Sequence, residues 1–568
     1  MKSLQPDQSP NSDNHHVSRR TFIGTTAAGG AALLTGGLAS FFKESANAGT
    51  SFPFVEKSIP QLQAAMTAGQ LSAHDLVQGY LDRITQLNPT LRAVIEVNPN
   101  AIAIANGLDQ ERKAGHVRGP LHGIPLLVKD NIATLDGMQT TAGSLALFNS
   151  NVPADSPLIQ HLRAAGAIIL GKSNLGEWAN FRDDEAETFP LAVGWSARGG
   201  STNNAYDLSY TSWGSSSGSG AGAAANLCAA AVGTETDGSI TGPSAVENIF
   251  GLKPTLQLIS QDGIVPISHQ QDSAGPMARS VTDVAILLGI MQSPQFDYTP
   301  LLQRGALKGK RIGKDLPFFN DYAFFGSGIP GDLETVAFAQ NALDVMASLG
   351  ATIVDTNTLF PAATPSDWEA AFLNLAGAEF TALLFEFRAQ IADYLQTLSH
   401  TTMRTLADLI AFNNAHCDQE LVFYDQDVFL LAEQNQFIGF PNNPAYVAAR
   451  TFATSTAQAG IDGAMARDHL DAIVAPHLTN STEPAVAGYP NFSMPVGIRS
   501  SGRPAGMLMY STAHQEAQLI GMAYDLEQEL QARHQPRLLN SPVPIPNGGF
   551  CTGHQPQGQA HLPHGRIF

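Results

Sequence analysis

The sequence predicts an α/β fold, and three observations carry the prediction. Helix–glycine–strand units recur, first as Ser156–Ala165, Gly166 and Ala167–Leu170, and again at Leu349, Gly350 and Ala351–Val354. Short apolar runs bounded by turn residues, among them Leu126–Val128, Ala472–Ala475, Phe492–Val496 and Met507–Tyr510, read as buried strands. The composition, 43% hydrophobic and 14% charged over 568 residues, suits a globular chain with an ample core. A net charge of −19 argues against nucleic acid as a partner, because phosphate binding needs a basic face.

Residues 1–48 are expected to lie outside the fold. A polar start leads into Ser18-Arg19-Arg20-Thr21-Phe22-Ile23, a weakly apolar Gly/Ala/Leu stretch follows, and Ala46-Asn47-Ala48 has the small-x-small form of a cleavage site. This resembles a twin-arginine export signal and implies a periplasmic or secreted protein, with no stable membrane association once the signal is removed. An uncleaved membrane anchor is the alternative.

The elements follow in order. Ser72 to Leu87 sets Leu76, Val77, Tyr80, Leu81, Ile84 and Leu87 on one helical face, with Ser72 and Asp75 as its capping pair. Ala93–Val97 reads as a strand and Pro99–Lys113 as a helix stopped by Gly115. Ala221 to Val232, rich in alanine, reads as a helix that holds Cys228 as a small buried hydrophobe. Ser280 and Asp283 cap a helix to about Met291. Residues 332–436 read as mostly helical, with Leu333, Val336, Leu343 and Met346 on one inward face and Leu406, Leu409, Ile410 and Phe412 on another. A helix from His514 to about Ala532 closes the fold. The acidic run Asp183–Glu187 reads as a solvated loop, and residues 541–568, with His554, His561 and His564, as a flexible tail.

Two motifs invite misreading. Gly166–Ser173 fits the phosphate-loop pattern G-x-x-x-x-G-K-[ST], but its middle, Ala-Ile-Ile-Leu, reads as a strand where that motif requires a loop, so nucleotide binding is not expected. Gly214-Ser215-Ser216-Ser217-Gly218 fits the nucleophile elbow G-x-S-x-G, with Ser216 attacking and His269, His416, His469 or His477 as its partner. An elbow needs an apolar strand before it, and Ala205–Trp213 is polar and broken.

The strongest signal is the glycine- and serine-rich stretch Trp213–Lys253. Residues so small supply little core, so their amides and hydroxyls are expected to face a reacting atom. Lys129, at the end of the Leu126–Val128 run, is a base if burial keeps it neutral, and an ordinary surface lysine if it is not buried. Taken together, GIPLLVKDN (123–131), GSSSGSGAGAAAN (214–226), GTETDGSI (233–240) and GLKPT (251–255) resemble the amidase signature family. SLALF (144–148), NLGEWANFR (174–182), GWSARGG (194–200), DLIAFNNAH (408–416) and AVAGYPNFSMPVG (485–497) resemble the bacterial peptide amidases within it.

The resemblance implies one large domain over residues 49–540, a central mixed β-sheet covered by helices on both faces, with a catalytic core at about 119–292. It also implies Lys129 as base, Ser215 as a bridging serine after a cis peptide bond, and Ser239 as nucleophile. The amides of Thr236, Asp237, Gly238 and Ser239 would form the oxyanion hole, and no metal or cofactor is required. Asp237, Ser216 and Trp195 are candidate substrate contacts; Asp237, where many relatives carry glycine, would either orient the substrate amide or brace the loop. The implied activity is hydrolysis of the C-terminal amide of peptides by a monomer. A broader aliphatic or aryl-acid amidase is one alternative, and a non-catalytic peptide-binding protein another.

Overall fold

A computed structural model describes residues 53–183, 192–320, 333–359 and 365–542. By contacts the chain falls into two units, Met1–Pro53 and Phe54–Phe568. The export signal, the tail histidines and residues 184–187 of the acidic run lie outside the described residues.

Among the described residues the second unit has thirteen strands: β1 Val94–Val97, β2 Pro125–Lys129, β3 Ile168–Ser173, β4 Trp195–Ser196, β5 Gly200–Ser201, β6 Ala230–Glu235, β7 Phe250–Lys253, β8 Ser273–Ala278, β9 Arg311–Asp315, β10 Thr352–Thr356, β11 Ala472–Pro476, β12 Asn491–Ile498 and β13 Pro504–Tyr510. Eleven form one mixed sheet in the order β1-β3-β2-β6-β8-β7-β12-β13-β11-β9-β10, and β4 and β5 pair separately. Strands β3, β2 and β6 run parallel, as do β11, β9 and β10, and antiparallel pairs join the two groups. Every residue of β2, β3, β6, β7, β8, β11 and β13 is buried, so both faces of the sheet are covered.

The local signals are realised where burial and capping reinforce each other. Ala73–Leu91 is a helix whose Ser72 and Asp75 form a reciprocal capping box, with Leu76, Val77, Tyr80 and Ile84 buried. Gly115 and Gly166 stop their helices at positive φ (84° and 85°). The phosphate-loop look-alike is strand β3, and Lys172 in it is buried, its Nζ donating to the Ile132 carbonyl and to Thr140 Oγ1.

Four expectations are corrected. The alanine-rich helix ends early: Ser217–Ala224 is helical, Asn226 takes a left-handed turn (φ 57°), and Ala230 onward is β6. Central position between β2 and β8 overrides alanine's helix propensity, because a strand there completes two ladders. Cys228 therefore sits in the connection ahead of β6, still fully buried. Asp183 is not solvated: it is 2% exposed and adds to the charges around buried Arg182. Leu333 is 77% exposed at the start of its helix, whereas Leu343 and Met346 further along are buried.

Candidate active site

The parallel register Leu126↔Ala230, Leu127↔Ala231 and Val128↔Val232 brings the carboxyl ends of β2 and β6 side by side. Ligands of open α/β sheets bind outside such ends. Lys129 closes β2 and is fully buried. Its Nζ lies 2.6 Å from Ser215 Oγ, 2.9 Å from Thr234 Oγ1 and 3.1 Å from the Thr234 carbonyl. Burial drives its pKa down to about 7, against the opposing charges of Asp272 and Glu235. A neutral amine has two N–H donors and one lone pair. With the donors on Thr234, the lone pair is left for the Ser215 hydroxyl. The surface-lysine reading does not hold here.

Ser215 follows a cis peptide bond from Gly214. A Cβ on Gly214 would stand 2.2 Å from the Val193 carbonyl and 2.6 Å from Asn180 Nδ2, so only glycine fits. The Ser215 carbonyl accepts from the Gly176 amide, which fixes the other side of the residue. Ser216 acts as a staple: its amide donates to the Ser239 carbonyl, its hydroxyl donates to the Thr234 carbonyl and accepts from the Thr234 amide. An elbow nucleophile has its hydroxyl free and a histidine beside it. Here the hydroxyl is spent, no strand precedes Gly214, and among the described residues no histidine bonds to Ser216.

Beyond β6 the chain turns sharply at Gly238, whose φ of 72° is a glycine conformation. Among the described residues the amides of Thr236, Asp237, Gly238 and Ser239 have no protein acceptor, and Ser239 Oγ makes no hydrogen bond. The next two amides, Ile240 and Thr241, both donate to Glu235 Oε2, at 2.7 and 2.8 Å. Four adjacent free donors beside a free hydroxyl make a site for developing negative charge.

The turn is held from several sides. Thr236 Oγ1 donates to Asp272 Oδ1 at 2.6 Å, and the Thr236 carbonyl accepts from Gln271 Nε2 at 3.0 Å. Asp237 Oδ2 accepts from Thr482 Oγ1 at 2.6 Å, while Oδ1 has no partner. Burial raises the Asp237 carboxyl to about 7, with Ser481 and Thr482 pulling the other way. Asp237 thus braces the loop through one oxygen and keeps the other unspent. Trp195 packs in an aromatic cluster with Phe423 and Tyr424, with the Arg182 guanidinium over its ring, and so is a packing residue.

Sequence reasoning missed Thr234, Asn131, Gln271 and Asp272. Asn131 Nδ2 donates to Thr234 Oγ1, so Asn131 and Thr234 orient Lys129 as a pair. Both stand inside the quoted motifs. Gln271 and Asp272 close the polar stretch Ser268–Asp272 ahead of β8, a run with no periodicity to mark it.

The Amidase family profile matches residues 75–520. A probable amidase of Arabidopsis thaliana is 35% identical over 86% of this chain and 93% of its own. One component of the glutamyl-tRNA(Gln) amidotransferase of Thermosynechococcus vestitus is 33% identical over 83% of this chain and 97% of its own. Among solved structures, the native peptide amidase from Stenotrophomonas maltophilia superposes with a TM-score of 0.77 at 42% identity, covering 86% of this chain and all of that one. A buried lysine, two serines and a turn of free amides thus stand on the sheet of a chain that belongs to the amidase signature family of amide hydrolases.

Proposed function

We propose that the protein hydrolyses the C-terminal amide of peptides with release of ammonia, through Ser239 as nucleophile, Ser215 as proton bridge and Lys129 as base. The observation that carries this reading is the 2.6 Å contact between the buried Lys129 Nζ and Ser215 Oγ, one residue from the Ser216 staple to Ser239. Neutral Lys129 draws the proton of Ser215, Ser215 draws that of Ser239, and Ser239 Oγ adds to the carboxamide carbon. The amides of Thr236–Ser239 receive the oxyanion, each donor contributing about 3–4 kcal/mol. As the C–N bond breaks, Ser215 returns a proton to the leaving nitrogen and ammonia departs. Water then cleaves the acyl-enzyme by the same relay.

Likeness to a peptide amidase over the whole of that chain supports the peptide substrate, and Ser18–Ile23 with Ala46–Ala48 supports export to the periplasm or beyond. Residues 49–540 then form the mature catalytic domain, a monomer. Mass spectrometry after incubation with amidated peptides tests the reading. A gain of about one mass unit at the C-terminus with internal bonds intact is expected of acyl transfer to water. Ammonia from free glutamine alone would point to the amidotransferase-like relatives, and cleavage of internal bonds to a protease.

A further inference from the structure

Gln271 is fully buried, and its side-chain amide is engaged at both ends. Nε2 donates one proton to the Thr236 carbonyl at 3.0 Å and the other to Glu379 Oε1, while Oε1 accepts from Arg450 Nη1 at 2.9 Å. Burial raises the Glu379 carboxyl well above the usual carboxylate range, and the charge of Asp237 adds to the rise, so the partner on that side is a neutral acid. Arg450 stands on the helix Pro444–Asp468 and is itself held: its Nε and Nη2 donate to Glu386 at 2.8 and 2.5 Å, and Glu386 Oε1 also accepts from Tyr446 Oη at 2.9 Å. Glu386 lies on the helix Pro365–Thr397. None of these residues belongs to the proton relay.

A glutamine amide has nearly the same shape either way round, and its neighbours decide which end is which. Arg450 offers donors alone, so it takes the oxygen and leaves Nε2 to face Thr236. The consequence falls on the turn. The Thr236–Asp237 peptide is trans, so its C=O and N–H point in opposite directions. Holding the Thr236 carbonyl towards Gln271 therefore aims the Asp237 N–H the other way, and that N–H is one of the four free donors beside Ser239. With the carbonyl released the peptide is free to rotate, because Gly238 next in the chain gives the turn little steric resistance.

We propose that Gln271 is a positioning residue for the reaction: backed by Arg450, it fixes the plane of the Thr236–Asp237 peptide so that the Asp237 N–H meets the developing oxyanion. The inference rests on the reading of Thr236–Ser239 as the oxyanion site and deepens it. Control of the turn then comes from the helices Pro365–Thr397 and Pro444–Asp468, through Glu386, Arg450 and Gln271 in series.

The test follows ammonia release from N-acetyl-leucinamide at pH 8, with rates taken per folded protein as measured by near-ultraviolet circular dichroism. Gln271→Leu loses the donor. Gln271→Glu keeps the shape and the bond to Arg450 but sets an oxygen against the Thr236 carbonyl. Each is expected to lower kcat by about a hundredfold and to leave KM within about threefold, because an oxyanion donor acts in the transition state. Arg450→Met is made together with Glu386→Gln, so that no unpaired charge stays buried. This pair is expected to lower kcat by about tenfold, and to add nothing in a chain that already carries Gln271→Leu. A kcat within about threefold of wild type in both Gln271 variants, or a raised KM with kcat unchanged, overturns the proposal and leaves the oxyanion reading standing. So do losses from the Gln271 and Arg450 changes that multiply when combined, since Arg450 would then act by another route. Full hydrolysis by Ser239→Ala overturns the oxyanion reading, and the proposal with it.

Discussion

Replacing Lys129 by methionine tests whether the lysine's burial serves chemistry at the expense of stability. The folded pKa is about 7, while an unfolded lysine titrates near 10.4. Between those values the unfolded chain binds the extra proton, so the lysine's penalty is full at and below pH 7 and fades as pH rises towards 10.4. Its ceiling is about 5 kcal/mol, from roughly 1.4 kcal/mol per unit. Methionine fills the same slot without a charge, and the two Thr234 acceptors it abandons are not orphaned, whereas the buried Ser215 hydroxyl loses its partner at a cost of about 1–3 kcal/mol. The Thr234 carbonyl still receives the Ser216 hydroxyl, and Thr234 Oγ1 still receives Asn131. Lys129→Met is therefore expected to be more stable than the wild type by about 2–3 kcal/mol at pH 7 and no more stable than it at pH 10, while kcat/KM falls by at least about a thousandfold. Urea unfolding at the two pH values, with ammonia release from an amidated dipeptide at pH 8, measures both. A variant that keeps activity within tenfold, or one whose stability gain is the same at both pH values, refutes the argument.

Other outcomes follow from the same geometry. The wild-type rate should fall with acidity, since about nine-tenths of Lys129 is neutral at pH 8 and about one-hundredth at pH 5 for a pKa of about 7. Asp272→Asn removes the largest charge holding the lysine's pKa up, so the acid limb of that profile should move to lower pH; Thr236→Val, which removes the hydrogen bond that holds the Asp272 carboxyl down, should move it the same way by less. Gly214→Ala sets a methyl group 2.2 Å from the Val193 carbonyl and should cost at least about 1–3 kcal/mol in a denaturant titration, with loss of turnover as Ser215 shifts. Magnesium ATP should leave the melting temperature unchanged, because Ile168–Ser173 is a ladder strand.

Sequence and structure agree most closely where one local pattern settles the matter. The Ser72–Asp75 box, the glycine stops at 115 and 166 and the continuous apolar runs of β2 and β13 are short-range signals, and each element stands within a few residues of its expected place. Ala230–Glu235 shows the limit. Its alanines favour a helix, and what makes them a strand is β2 on one side and β8, some forty residues later, on the other. Family motifs place Lys129, Ser215 and the turn, which the structure brings together by different elements: the end of a strand, a loop ahead of a helix, and the exit of β6. Ser216 and Trp195 look like site residues because they stand inside the motifs, yet both are occupied by internal contacts.

The small residues of the central stretch bear on the lysine as directly as on the serines. A lysine is a usable base near neutral pH only if water is kept from its ammonium form. Here the helix Ser217–Ala224 seals that side because glycine lets it lie against the sheet: a Cβ on Gly222 would meet Leu127 Cδ1 at 2.9 Å, and one on Gly218 the Ala93 carbonyl at 2.2 Å. Gly233 in β6 admits the Ser216 side chain in the same way, its Cβ position lying 2.8 Å from Ser216 Oγ. The hydroxyls of Ser219 and Ser216 are tied to the carbonyls of Val232 and Thr234, so the approach brings no unpaired oxygen with it. Larger side chains at these positions would hold helix and sheet apart and let water reach Lys129, raising its pKa towards that of an ordinary lysine. Backbone closeness in the glycine- and serine-rich stretch is thus the physical cause of the base, as well as the frame for the nucleophile.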